Sequence, residues 1–146
     1  MSRILCEIDD TPGARTARVT LHHAGKFNAM SRSMWRQLRD VFLDLQTRTQ
    51  ATDPLRCVVV HGADGHFCAG GDIRSFYYRR QEESEQALFA YARDFFEQEY
   101  RLDHHIHRYT KPLVCVADGI CMGGGIGLFA GADFRVVTER SLFAMP

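Results

Sequence analysis

Residues 117–127 read Ala-Asp-Gly-Ile-Cys-Met-Gly-Gly-Gly-Ile-Gly and follow the apolar run Pro112 to Val116. This pattern predicts a short buried strand, a glycine turn and a new helix. Glycine lets a ligand approach the backbone because no Cβ intervenes. The first N–H groups of a helix lack internal partners and lie at the positive end of the macrodipole. Such a turn can receive a phosphate or an oxyanion formed during a reaction. Residues 62–73, Gly-Ala-Asp-Gly-His-Phe-Cys-Ala-Gly-Gly-Asp-Ile, repeat the arrangement after the apolar run Cys57 to Val60. One such turn alone is a common tight connection. Two could aim backbone donors at one carbonyl oxygen, which defines an oxyanion hole.

Other residues compete for a chemical role. Gly119-Ile120-Cys121-Met122-Gly123 fits the Gly-x-nucleophile-x-Gly elbow of a hydrolase. That fold needs a histidine after the nucleophile, and none follows His107 here. The alternative is that Cys121 is a small residue in a tight turn. His104 and His107 could share a helical face, but no carboxylate or cysteine pair completes a recognisable metal site. Histidine near a helix C-terminus is also favoured by the dipole alone. Glu97 and Glu99 fall on an amphipathic stretch, where a partly buried carboxylate has a raised pKa and can exchange protons. Surface exposure is the commoner fate of a glutamate. The Gly123-Gly124-Gly125 run has the wrong spacing for a Gly-x-Gly-x-x-Gly dinucleotide loop.

The elements that must position these groups follow from periodicity. Residues 4–8 and 17–22 read as strands of a hairpin around Asp9-Asp10-Thr11-Pro12-Gly13. Residues 24–29 form a loop. Ser31 or Ser33 caps a helix running to about Thr49, with Met34, Leu38, Val41, Phe42 and Leu45 as its buried stripe. A buried strand spans 55–61, and a short helical piece spans 73–78. The charged stretch 79–85 reads as solvated. A long helix over 86–108 turns Leu88, Tyr91, Ala92, Phe95, Phe96 and Tyr100 to the core and ends at Pro112. Strand 113–117, helix 124–130 and strand 134–138 complete a strand–helix alternation. Parallel crossovers in a single α/β layer fold, with no internal linker, are the expectation.

Composition narrows the classes. The chain has 146 residues, 45% hydrophobic and 25% charged, with a formal net charge of zero. That is enough for one domain with a real core, and it gives no support for nucleic-acid or membrane binding. Five cysteines, Cys6, Cys57, Cys68, Cys115 and Cys121, include no Cys-x-x-Cys pair and read as reduced thiols. No signal peptide or transmembrane-length segment is visible, so a cytoplasmic location is expected, or the mitochondrial matrix if the source is eukaryotic.

Taken together, four motifs resemble the enoyl-CoA hydratase/isomerase (crotonase) superfamily. They are Lys26-Phe27-Asn28-Ala29-Met30, Phe67 through Ile73, Lys111-Pro112, and Gly119 through Gly125, and the match runs from about Ile4 to Pro146. The resemblance implies the N-terminal part of a ββα spiral fold, assembled as trimers or hexamers, acting on a CoA thioester. CoA is then part of the substrate, and no separate cofactor or metal is implied. By position, the N–H groups of Gly71 and Gly124 would hold the thioester oxygen. Lys26, Phe27 and Ala29, with Ala69 and Ile73, would contact CoA, and Asp72 would fix its loop. Hydratases of this superfamily carry a catalytic glutamate where this chain has Gly127, and glycine cannot transfer a proton. Gly123 through Leu128, Phe134-Arg135-Val136, Ser141 through Pro146 and the Glu99-Tyr100 pair look instead like the 3-hydroxyisobutyryl-CoA hydrolase branch, which serves valine breakdown. There the glutamate at the Glu99 position lies near the substrate, and a catalytic glutamate follows the Met-Pro pair. The chain is therefore expected to be the front part of a longer enzyme and to be inactive by itself.

Overall fold

The computed structural model describes residues 2–13, 15–48 and 55–146. Strands β1 (Ser2–Asp9) and β2 (Thr16–His23) form the expected antiparallel hairpin. Asp9 starts its turn: the carboxylate accepts from the Thr11 N–H at 3.0 Å and from the Thr11 hydroxyl at 2.6 Å, an Asx turn in type. From β2 onward the sheet is parallel. Its order is β1-β2-β3-β4-β6, where β3 is Cys57–Gly62, β4 is Leu113–Ala117 and β6 is Phe134–Val137. Parallel neighbours require crossover connections, and helices supply them. Helix α1 (Arg32–Thr47) joins β2 to β3, while α2 (Arg74–Glu82) and α3 (Glu85–His107) join β3 to β4.

The side-chain period of two decides which face of the sheet is covered. Ala17, Val19 and Leu21 of β2, Val58 and Val60 of β3, and Leu113, Cys115 and Ala117 of β4 are all buried. Against them packs α1, capped by Ser31, whose hydroxyl accepts from the Met34 N–H at 3.3 Å. Its buried stripe is Met34, Trp35, Leu38, Phe42 and Leu45. Trp35 joins the expected set, and Val41 is only partly buried at its edge. The expected helix end near Thr49 falls outside the described residues.

Three expectations need correction. Helix α2 runs through Glu82, so the charged stretch begins inside a helix, although its residues are mostly exposed. The buried stripe of α3 is Tyr91, Phe95, Glu99, Leu102 and Ile106. These positions repeat at intervals of three and four, which keeps them on one side. Phe96 and Tyr100 each follow a stripe residue, stand roughly 100° round the helix, and are 42% and 64% exposed. The third correction is a second, two-stranded parallel sheet of β5 (Ile120–Met122) and β7 (Leu142–Ala144). Three residues are too few to show an alternating pattern. Isolated bridges Met30–Gly71 and Cys68–Cys121 extend this layer, and they bring the two glycine turns together. Helix α4 (Gly124–Ala130) follows as expected. Among the described residues, no helix is long and apolar enough to cross a membrane.

Candidate active site

The first glycine turn is held by the loop after β2. The Asn28 side-chain amide donates to the carbonyls of Ala63 at 2.8 Å and His66 at 2.7 Å, and its oxygen accepts from the His23 N–H at 2.9 Å. Backbone bonds continue the seam: Ala69 N–H to Phe27 at 3.0 Å, Met30 N–H to Gly70 at 2.7 Å, and Asp72 N–H to Met30 at 2.8 Å. Lys26 Nζ lies 2.6 Å from Asp72 Oδ2 and closes the loop. These ties leave the Gly71 N–H without an acceptor among the described residues.

The second turn is held differently. Cys68 accepts from the Met122 N–H at 2.9 Å, and Ala144 accepts from the Gly123 N–H at 3.2 Å. Gly123 has φ +51° and ψ −124°, a conformation open to glycine and strained for other residues. It delivers Gly124 as the first residue of α4, and the Gly124 N–H also finds no acceptor among the described residues. A Cβ on Gly70 would lie 3.4 Å from the Gly124 nitrogen, which shows how closely the turns approach. Because α4 is only seven residues long, the unpaired N–H groups themselves, more than a macrodipole, give this corner its positive character.

Both glycines open on a cavity of about 460 Å³ walled by Phe95, Phe96, Tyr100 and Met145. Glu99 reaches it from α3. The residue is 8% exposed, and its carboxyl has no hydrogen-bond or ion-pair partner among the described residues. Burial, and then the neighbouring Asp103, push it up to about 7. A Cβ on Gly124 would collide with the Glu99 carboxylate, so a side chain there would displace Glu99 from its present place. At neutral pH such an acid is divided between its two protonation states, as acid–base chemistry requires.

A second, shallower cavity of about 210 Å³ lies beside Lys26, Phe27, Ala29, Asp72 and Ile73. Ala69, Gly71, Ile73, Glu99 and Gly124 line the larger one, and Gly71 and Ile73 line both. The nine residues singled out in the sequence therefore sit around two adjoining cavities. Asp103, also in the larger wall, was not among them. The signal was its spacing, one helical turn beyond Glu99.

The competing centres fare differently. Cys121 is fully buried inside β5 instead of standing at a strand-to-helix elbow, and burial pushes its thiol up to about 11. A nucleophilic thiol needs the opposite environment. Cys68 and Cys115 are also buried, and all five cysteines are free thiols. Glu97 is turned outward and pairs with Arg101 at 2.5 Å. Among the described residues, no three His, Cys, Asp or Glu side chains are placed to hold a metal ion. Lys111 is 7% exposed and gives its ammonium to the Leu55 carbonyl, a structural tie away from the cavity.

Known proteins share this fold. The sequence profile described as "Enoyl-CoA hydratase/isomerase" matches residues 16–146. This chain belongs to that family. It is 42% identical over 129 residues to the mitochondrial 3-hydroxyisobutyryl-CoA hydrolase of Mus musculus, covering 88% of this chain and 31% of that protein. It is 39% identical over 129 residues to the small ribosomal subunit protein mS47 of Neurospora crassa, covering 88% of this chain and 24% of that protein. Among solved structures, Pseudomonas aeruginosa AtuE superposes with a TM-score of 0.80 at 29% identity, over 97% of this chain and 50% of that one. The chain thus spans about a third or less of these curated relatives and half of the AtuE chain.

Proposed function

We infer that this chain carries the oxyanion-binding half of a short-chain acyl-CoA thioester hydrolase, with 3-hydroxyisobutyryl-CoA or a close relative as substrate. The observation that carries this reading is the pair of acceptor-free N–H groups, on Gly71 and Gly124, opening on one cavity that also holds Glu99. In the reaction, a water oxygen bonds to the thioester carbon and the carbonyl electrons move onto oxygen. The two N–H groups take that negative charge. The carbonyl re-forms, the C–S bond breaks, and CoA leaves as a thiolate that takes up a proton. Glu99 binds the hydroxyl of the acyl chain or helps to move the proton. The carboxylate that activates water is assigned, by the resemblance, to the position following Met145 and Pro146, and both of these residues line the cavity. Lys26, Phe27, Ala29, Ala69 and Ile73 would hold the CoA portion, and Asp72 would keep Lys26 in place.

Gly127 separates this reading from simple hydration, because the residue at that position carries no side chain to transfer a proton. The test is thiol release from 3-hydroxyisobutyryl-CoA by the native gene product at its full length. Release supports the hydrolase. Hydration of crotonyl-CoA without thiol release overturns it in favour of a hydratase or isomerase. Likeness to a ribosomal subunit protein favours a second reading, an assembly role in which the cavity binds a thioester without turning it over. Binding without either reaction would support that one. Trimers or hexamers, a mitochondrial or cytoplasmic setting and a place in valine breakdown belong to the same proposal.

A further inference from the structure

Asp103 and Glu99 lie four residues apart on α3 and both line the larger cavity. Side chains at this spacing are neighbours, with Cβ atoms roughly 5–6 Å apart. Asp103 occupies the space left by the absent side chain of Gly127: a Cβ there would lie 3.0 Å from Asp103 Oδ2. Its other oxygen, Oδ1, is buried and has no partner. A buried carboxylate oxygen without a donor is costly, and no donor among the described residues reaches it. Trp35 is the titration-free neighbour from α1, Cys68 the thiol from the first glycine turn, and α4 contributes no charged or titratable side chain. On α3 the Tyr100 hydroxyl also lines the cavity, and the exposed His107 lies one turn beyond Asp103. The other wall residues are largely apolar: Phe95, Phe96, Tyr100 and Met145.

We propose that Glu99 and Asp103 together bind the hydroxyl of a hydroxyacyl thioester, Glu99 donating a proton to its oxygen and Asp103 accepting from its O–H, so that Asp103 selects hydroxyacyl over plain acyl chains. This rests on the thioester reading above. A hydroxyl in the cavity supplies a donor to the Asp103 carboxylate and the acceptor that a protonated Glu99 needs. Burial raises both acids, to about 7 for Glu99 and about 6 for Asp103. Between those values the pair carries one proton, the state this arrangement uses.

The test compares binding of 3-hydroxyisobutyryl-CoA with isobutyryl-CoA, which lacks only the hydroxyl, by the full chain and its variants. The intact protein should prefer the hydroxyacyl ligand by ~10-fold or more, as a hydrogen bond to a charged group allows. Asp103→Leu should abolish the preference, read as the ratio of the two affinities. Asp103→Asn keeps shape and an acceptor oxygen, and should lower the ratio by about threefold; it serves if the leucine variant fails to fold. The preference should also be greatest between about pH 6 and 7 and fall on either side. An unchanged ratio in both variants overturns the role of Asp103 while leaving the thioester reading intact. Equal binding of the two ligands by the intact protein does the same. Binding of neither ligand overturns both.

Discussion

Asp72 and Glu99 are equally buried, 7% and 8% exposed, yet only Asp72 has a partner. Lys26 stands 2.6 Å from it, and the loop from Lys26 to Met30 is laced to the first glycine turn by backbone bonds on both sides. Glu99 faces the adjoining cavity with no partner of opposite charge and with Asp103 one turn away. Gly71 belongs to both places. The difference separates two uses of a buried carboxylate. A paired one fixes a loop. An unpaired one keeps its proton near neutrality and is available to a ligand.

The comparison can be broken most severely at the donor. Gly124→Pro removes the N–H and suits the first position of a helix. Because its ring also presses on the Glu99 carboxylate, Gly124→Ala, which keeps the N–H, is the control for that contact. Thiol release should fall by ~100- to 1000-fold, the usual loss of one oxyanion donor. Steady-state kinetics on the full-length protein would show it, and retention of full activity would reject the assignment. On the paired side, Lys26→Met should leave Asp72 without its counter-charge. Because Lys26 is partly exposed, the cost should be about 1–2 kcal/mol of stability, read by urea denaturation, together with weaker CoA-thioester binding.

A smaller effect sharpens the unpaired side. Glu99 and Asp103 are held above their ordinary values of 4.5 and 3.8, near 7 and 6. The folded chain therefore keeps protons that the unfolded chain has already released. The stabilising contribution is complete below the ordinary carboxylate range and is lost as pH rises through about 6 and then 7. Without ligand, Tm should fall by a few degrees between about pH 5 and pH 8, and Glu99→Gln should flatten part of that slope. A slope unchanged by the substitution would show that Glu99 is not held protonated. The smallest effect concerns Cys121. Cys121→Ala should leave thiol release within about twofold and cost about 1 kcal/mol of stability, whereas a thiol nucleophile would lose all activity.

The sequence was most readable where backbone and burial follow local pattern. The hairpin, the crossover helices and the two glycine turns are all announced by turn residues or by periods of two and 3.6. Strands β5 and β7 were not, because three residues carry no pattern and their pairing joins distant segments. Phe96 and Tyr100 misled because an aromatic side chain beside a core position reads as core, although the helix turns it into a cavity wall. The burial of Glu99 comes from its own place in the stripe with Phe95 and Leu102. Asp103 stayed hidden because its setting depends on a missing side chain, that of Gly127, on another helix.

The most direct measurement is the infrared carbonyl band of isobutyryl-CoA, carbon-13-labelled at the thioester carbon, bound to the protein. Two N–H groups aimed at one oxygen should polarise the bond and move the band to lower wavenumber, and Gly124→Pro should remove most of that shift. A thioester that binds with its carbonyl band where it lies in water would contradict the account.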